Sequence, residues 1–218
     1  MAPRGYGNEM RKTAEDAEDA LVARLRRNLL RAPPPRIDPR GDHDLNPAMP
    51  RGRVLIPAAV LVPVIAAVPG PTVIFTKRAA GLADHAGEIS FPGGRIEPHD
   101  ADPIAAALRE TGEELGLPAD RVEILGALDF YETRTGFRVA PVVGLLTGPF
   151  DLRPDPREVA EVLEVPFAHL LDPVNYRRHE AEAGGVRRQF HAIPFGGHII
   201  WGATAGMLMN LREIMSAE

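Results

Sequence analysis

A chain of 218 residues, 44% hydrophobic and 25% charged, can bury a sizeable core and fits one domain with an appended arm. Its net charge of −5 argues against a nucleic-acid coat, while its cations are nearly all arginine (only Lys12 and Lys77 are lysine), a bias that suits phosphate recognition. The absence of cysteine excludes disulfides, thiolate metal sites and cysteine nucleophiles, so any metal must be held by oxygen or imidazole.

Residues Thr13 to Arg31 place Ala20, Leu21, Leu25 and Leu29 at helical spacing among alternating charges, which predicts an amphipathic helix. Its acidic residues favour docking on protein, either its own domain or a second subunit in a homodimer, over an anionic membrane surface. Ala32 to Pro50 carries six prolines among charged residues and reads as a linker. This divides the chain into an arm, 1–50, and a domain, 51–218, and predicts that loss of residues 1–45 is tolerated. No apolar signal core is present, and the run Val54 to Val68 is broken by Pro57 and Pro63 and is short for a membrane span. A cytoplasmic protein without stable membrane insertion is expected.

From Arg53 onward, short apolar runs bounded by Gly and Pro predict strands at Val54 to Ile65, Thr72 to Thr76, Val122 to Tyr131 and Phe137 to Leu146. Between them, Ile104, Ala107, Leu108 and Leu115 repeat at helical spacing in Pro103 to Leu115, closed by Gly116 and Pro118. Beyond Pro156 the pattern predicts an apolar and acidic alternation to Val165, a short helix Phe167 to Leu171, and strands near Gln189 to Pro194 and His198 to Trp201. A last helix, Ala203 to Met215, carries a core stripe of Ala203, Met207, Leu211 and Met215. The expected class is α+β or α/β, a mixed sheet sandwiched between helices, with an N-terminal helical arm.

The informative segment is Phe91 to Leu117. Glu110, Glu113 and Glu114 stand at i, i+3 and i+4, on neighbouring positions of one helix face, where they repel without a cation. An isolated pattern of this kind is usually a solvated acidic face. Here Pro92, Gly93 and Gly94 precede the helix, and glycines let backbone approach a ligand closely. Hard oxygen donors of this kind suit Mg²⁺ or Mn²⁺.

This segment resembles the Nudix hydrolase box, G-x5-E-x7-R-E-U-x-E-E-x-G-U with U aliphatic, through Arg109, Glu110, Glu113, Glu114, Gly116 and Leu117. Thr111 replaces an aliphatic residue, and Gly94 lies fifteen residues before Arg109 where the pattern has fourteen. Asp100 or Asp102 therefore stands in for the early glutamate. The longer spacing resembles the coenzyme A pyrophosphatase branch, as does the upstream stretch Ile74, Phe75, Thr76, Lys77, Arg78, Ala79, then Gly87 and Phe91 to Gly94. Ala83 departs from that branch, which has arginine there.

The resemblance implies metal-dependent hydrolysis of coenzyme A or acyl-coenzyme A to 3',5'-ADP and 4'-phosphopantetheine or its acyl form. Glu110 and Glu114 are the implied metal ligands; Glu113 completes the cluster or accepts a proton from the attacking water, with Arg109 orienting it. Glu158 is an alternative base. Lys77, Arg78, Gly93 and Gly94 are the expected substrate contacts, with His85 and the arginines at 177, 178, 187 and 188 weaker candidates. The rival functions are the same chemistry on ADP-ribose, a dinucleotide or a nucleoside triphosphate, and a non-catalytic nucleotide sensor.

Overall fold

The computed structural model describes residues 20–29, 39–49, 54–66, 70–82, 84–183 and 185–216. Its spine is a parallel pair, β2 (Ile56–Ile65) and β8 (Phe137–Leu146), in register along their whole length from Ile56↔Phe137 to Ile65↔Leu146. Both strands are apolar runs that contain proline. Pro63 of β2 and Pro141 of β8 are tolerated for the same reason, because each strand changes partner on its outer edge beside that proline, while Pro57 stands at the start of β2 before its pairing with β5 begins.

On β2 the outer edge pairs first with β5 (Gly93–Arg95) at Ala58 to Val60 and then with β3 (Thr72–Arg78) at Val64 and Ile65. Leu61 N–H bonds the Pro92 carbonyl on that edge, so Pro63, two residues on, turns its missing donor to the gap. On β8 the edge passes from β7 (Tyr131–Glu132) to β6 (Val122–Ala127). Pro141 lies at that change, its carbonyl accepting from Leu128 N–H. Three short or antiparallel strands complete this sheet: β1 (Arg40–Gly41) beside β7, β4 (Ile89–Ser90) beside β3, and β9 (Val159–Pro166) beside β3.

Alternation along the strands feeds two cores. Ala59, Leu61, Ile74, Ala140 and Val142 face helix α2 (Pro103–Leu115) with Ala106, Ala107 and Leu115. Val62, Phe75, Val143 and Leu145 face the other side, where α3 (Phe167–Leu171) and α4 (Gly202–Ser216) pack. The mixed sheet between helices is as expected. Helix α2 begins where Asp102 accepts the Ala105 N–H at 2.8 Å with Pro103 behind it, and ends at Gly116, whose φ of 67° is left-handed. Met207, Leu211 and Met215 on α4 are buried, as their stripe predicts. A second, antiparallel sheet of β10 (Arg177–Ala183), β11 (Val186–Phe195) and β12 (His198–Trp201) packs on α4.

Helical residues 20–28 dock on the chain's own core, with Val22, Leu25 and Leu29 buried; the remainder of the predicted N-terminal helix lies outside the described residues. The stretch read as a linker differs from that expectation in its described part, 39–49. Arg40 and Gly41 form β1, Asp42 accepts from Tyr131 hydroxyl and Arg134 N–H, and Asn46 exchanges hydrogen bonds with the Gln189 backbone. Prolines there do not prevent docking, because the ladder with β7 is only two residues long and the side chains of Asp42 and Asn46 supply the other bonds. The expected tolerance to loss of residues 1–45 therefore does not fit, since buried Leu25, His43 and the Asp42 bonds would go. Among the described residues no helix is long and apolar enough to cross a membrane.

Candidate active site

Helix α2 lies over β2 and β5, so its C-terminal half carries its three glutamates to the glycine strand. Gly93 pairs with Val60 and Gly94 with Ala59. At Gly93 φ is 151° and a side chain would collide with the Ala59 carbonyl, while a Cβ on Gly94 would lie 2.5 Å from the Glu110 carboxyl carbon. Gly93 is thus required by the approach of backbone, whereas a side chain at Gly94 would displace the Glu110 carboxylate.

Each glutamate meets a different environment. Glu114 is only 4% exposed, and its Oε2 has no hydrogen-bond partner among the described residues. Burial pushes its carboxyl up to about 8, opposed by the Arg78 guanidinium and the Gly93 N–H and reinforced by the charges of Glu158 and Glu110. Glu110 is partly buried under Gly94, and desolvation raises its pKa against the 2.9 Å bond from Arg109. Glu113 is the outermost, its side chain 58% exposed, and meets Arg109 at 3.3 Å.

Arg109 is held from the opposite side. Its Nε and Nη2 donate to the two Asp100 oxygens at 3.0 and 2.9 Å, and Nη2 also donates to the Arg95 carbonyl at 3.1 Å. This fork, with the Glu97 N–H at 2.8 Å, holds the Asp100 carboxyl down at about 2. Both Asp100 oxygens are thereby engaged by Arg109, and Asp102 caps α2 through Oδ1. Pairing across the intervening loop gives no local spacing signal by which sequence alone would reveal Asp100 as the holder of Arg109.

Glu158 joins the site from β9's approach. Asp155 N–H bonds the Glu114 carbonyl at 2.9 Å, and the Glu158 carbonyl accepts from Ala79 N–H at 2.7 Å. The loop is pinned to the end of α2 and the end of β3, which places the Glu158 charge within reach of both Glu110 and Glu114.

Lys77 and Arg78 part company. Lys77 follows Phe75 in the strand alternation, away from α2, and pairs with Glu161 at 3.5 Å, a carboxylate that also meets His198 at 3.2 Å. Arg78 turns to the α2 side; its buried Nε has no partner among the described residues, and its charge acts on Glu114. Lys77 thus makes a surface ion pair, whereas the Arg78 charge lies toward Glu114. His85 bonds Glu88 at 3.0 Å as a solvated loop residue, Ala83 lies outside the described residues, and Arg177, Arg178, Arg187 and Arg188 sit on the β10–β11 hairpin.

Glu110 and Glu114, with Glu113 on the same helix face, offer hard oxygens that repel one another, and one oxygen of the buried Glu114 has no partner among the described residues. That is a fit to a small divalent cation. Among the described residues no three acidic or histidine side chains are already gathered at ligand spacing. Arg109 instead pairs with Glu110, and the Arg78 charge acts on Glu114.

Residues 56–190 match the NUDIX domain family. The chain is 38% identical over 156 residues to the uncharacterized Nudix hydrolase NudL of Photorhabdus laumondii, covering 72% of this chain and 83% of that protein. It is 40% identical over 154 residues to the uncharacterized Nudix hydrolase NudL of Cronobacter sakazakii, covering 71% and 80%. Among solved structures, the Nudix hydrolase RenU from M. smegmatis is similar with a TM-score of 0.47 at 20% identity, covering 74% of this chain and 86% of that one.

Proposed function

The chain belongs to the Nudix hydrolase family, and from that membership we propose that it cleaves the diphosphate of coenzyme A or acyl-coenzyme A, giving 3',5'-ADP and 4'-phosphopantetheine or its acyl form. As a family member it is a hydrolase of pyrophosphate bonds. Nudix hydrolases generally use divalent metal ions such as Mg²⁺ or Mn²⁺. In this reading Glu110 and Glu114, with Glu113 at the open end of the same helix face, hold the cation. When bound, such an ion neutralises phosphoryl charge and makes water more acidic.

The protein's own groups do the rest. The observation that carries the reading is Glu114, a buried carboxylate with an unpaired oxygen, backed by Glu110 and Glu158. Arg109 is a positioning residue, since its fork to Asp100 fixes the edge along which it holds Glu110 and Glu113. Glu158 is favoured over Glu113 as proton acceptor, because Glu158 faces the other two carboxylates while Glu113 is exposed and engaged by Arg109. Arg78 supplies a desolvated positive charge at the floor, placed for an anionic diphosphate.

Coenzyme A is proposed among diphosphates because the stretch from Ile74 to Gly94 resembles that branch, and in the fold this stretch packs as one unit around the glycines. Phe75 stacks on Phe91 at 4.9 Å, Gly87 N–H bonds the Arg78 carbonyl, and Leu61 N–H donates to the Pro92 carbonyl. The test is to incubate the protein with coenzyme A and Mg²⁺ or Mn²⁺ and identify the products by mass. The two named products are expected; hydrolysis at any other bond, or none, contradicts the assignment.

A further inference from the structure

Strand β10 forms one edge of the second sheet and carries Arg177, Arg178, His179, Glu180, Ala181 and Glu182, every one of them exposed. Among the described residues only β11 pairs with it, and no other described strand takes up the alternate N–H and C=O groups on its outer side. Such an edge is a template for another strand unless something guards it. Here the guards are charges, and they are arranged in a self-complementary order: basic first, acidic after.

One face of the same sheet bears a row of rings that runs toward this edge. Trp201 on β12 meets Phe190 on β11 at 5.3 Å, and Phe190 stacks on His179 of β10 at 6.0 Å. Trp201 is 38% exposed and its neighbour Ile199 is 55% exposed, so the row is open to solvent. It stops at His179 only because the sheet stops there.

We propose that two copies of this chain join through antiparallel pairing of their β10 edges, with a two-fold axis beside His179, to form one continuous six-stranded sheet. A two-fold pairing of antiparallel edges brings residues of like parity opposite one another, which leaves few registers to consider. With the axis at Glu180, Arg178 stands opposite the second copy's Glu182, but the two Glu180 carboxylates face each other at the centre. With the axis at Arg178, the two Arg178 guanidiniums do. With the axis at His179, Arg178 stands opposite the second copy's Glu180, and Glu180 opposite the second copy's Arg178, while Arg177 meets Ala181. Cross-strand pairs of opposite charge favour that register, and like pairs oppose the other two.

The same register also continues the ring row without a break. Trp201, Phe190 and His179 of one copy run into His179, Phe190 and Trp201 of the other. Charge order and aromatic order are separate features of the strand, and both select the His179 axis. Glu180 remains flanked by Arg187 of its own chain at 3.4 Å, so it sits between two cations in the pair.

Light scattering of the full chain should give twice its 23.6 kDa mass. Arg178→Glu should raise the dimer dissociation constant about tenfold or more, and Arg178→Glu with Glu180→Arg should restore it, because the exchanged charges again face opposites. The chain has no cysteine, so His179→Cys provides a clean linkage test. Mild oxidation should join two copies of His179→Cys but not of Glu180→Cys or Ala181→Cys, which do not face themselves. A monomer at all concentrations, a dimer indifferent to Arg178→Glu, or linkage at 180 or 181 in preference to 179 would overturn the proposal.

Discussion

Gly94 lies so close to the Glu110 carboxylate that a Cβ at position 94 would sit 2.5 Å from the carboxyl carbon. Gly94→Ala must therefore push Glu110 out of place while leaving its charge. The expected outcome is a kcat reduced on the order of 100-fold, similar to Glu110→Gln, with the fold preserved by circular dichroism. Near-normal turnover in either variant contradicts the assignment of Glu110.

Glu114 makes the stability of the metal-free protein depend on pH. Its carboxyl is pushed up to about 8, chiefly by burial. In the unfolded chain it ionises near ~4.3. Between those values the folded state keeps a proton that the unfolded state releases. The stability from this group is thus fully present below the unfolded value, falls as pH rises, and levels off above about 8. Urea midpoints in chelator should decline over this window in the wild type and decline less in Glu114→Gln. Parallel profiles would show that Glu114 does not titrate in this way.

Asp100 is expected to matter without touching a ligand. Asp100→Asn removes the carboxylate to which Arg109 donates twice, freeing Arg109 to close further on Glu110 and Glu113. Second-layer changes of this kind weaken metal affinity by about 10–100-fold. Calorimetric titration with Mn²⁺ reads this directly, and unchanged affinity would mean that Arg109 is positioned by other contacts.

Leu25, fully buried against the main core, ties the N-terminal helix to the domain. Leu25→Ala should cost about 2–5 kcal/mol in denaturant unfolding, as large-to-small core changes do. Removal of residues 1–45 should cost more, since Asp42 and His43 go too. A truncated chain as stable as the full one would show that the arm is dispensable.

The legible parts of the sequence were those where a chain pattern and a burial pattern coincide. Phe137 to Leu146 and Pro103 to Leu115 have the predicted bounds, the first as an unbroken apolar run and the second framed by Asp102, Pro103 and Gly116. Strand β5 was hidden because Gly93 and Gly94 read as loop, although ladder bonds to Ala59 and Val60 need no side chain. Strand β10 was hidden because its exposed residues show no apolar alternation. The glutamate cluster could be placed from helical spacing, whereas the Asp100 fork, the entry of Glu158 and the opposite facing of Lys77 and Arg78 depend on tertiary pairing and a register shift between those two residues.

The most direct measurement of the central claim is kcat/KM, with product identification, on coenzyme A, 3'-dephospho-coenzyme A, ADP-ribose and a dinucleoside polyphosphate under one metal condition. Coenzyme A should be the best substrate, yielding 3',5'-ADP and 4'-phosphopantetheine, with Glu110→Gln slowing formation of both on the order of 100-fold. A clear preference for ADP-ribose or the dinucleotide, with coenzyme A left intact, would contradict the substrate assignment.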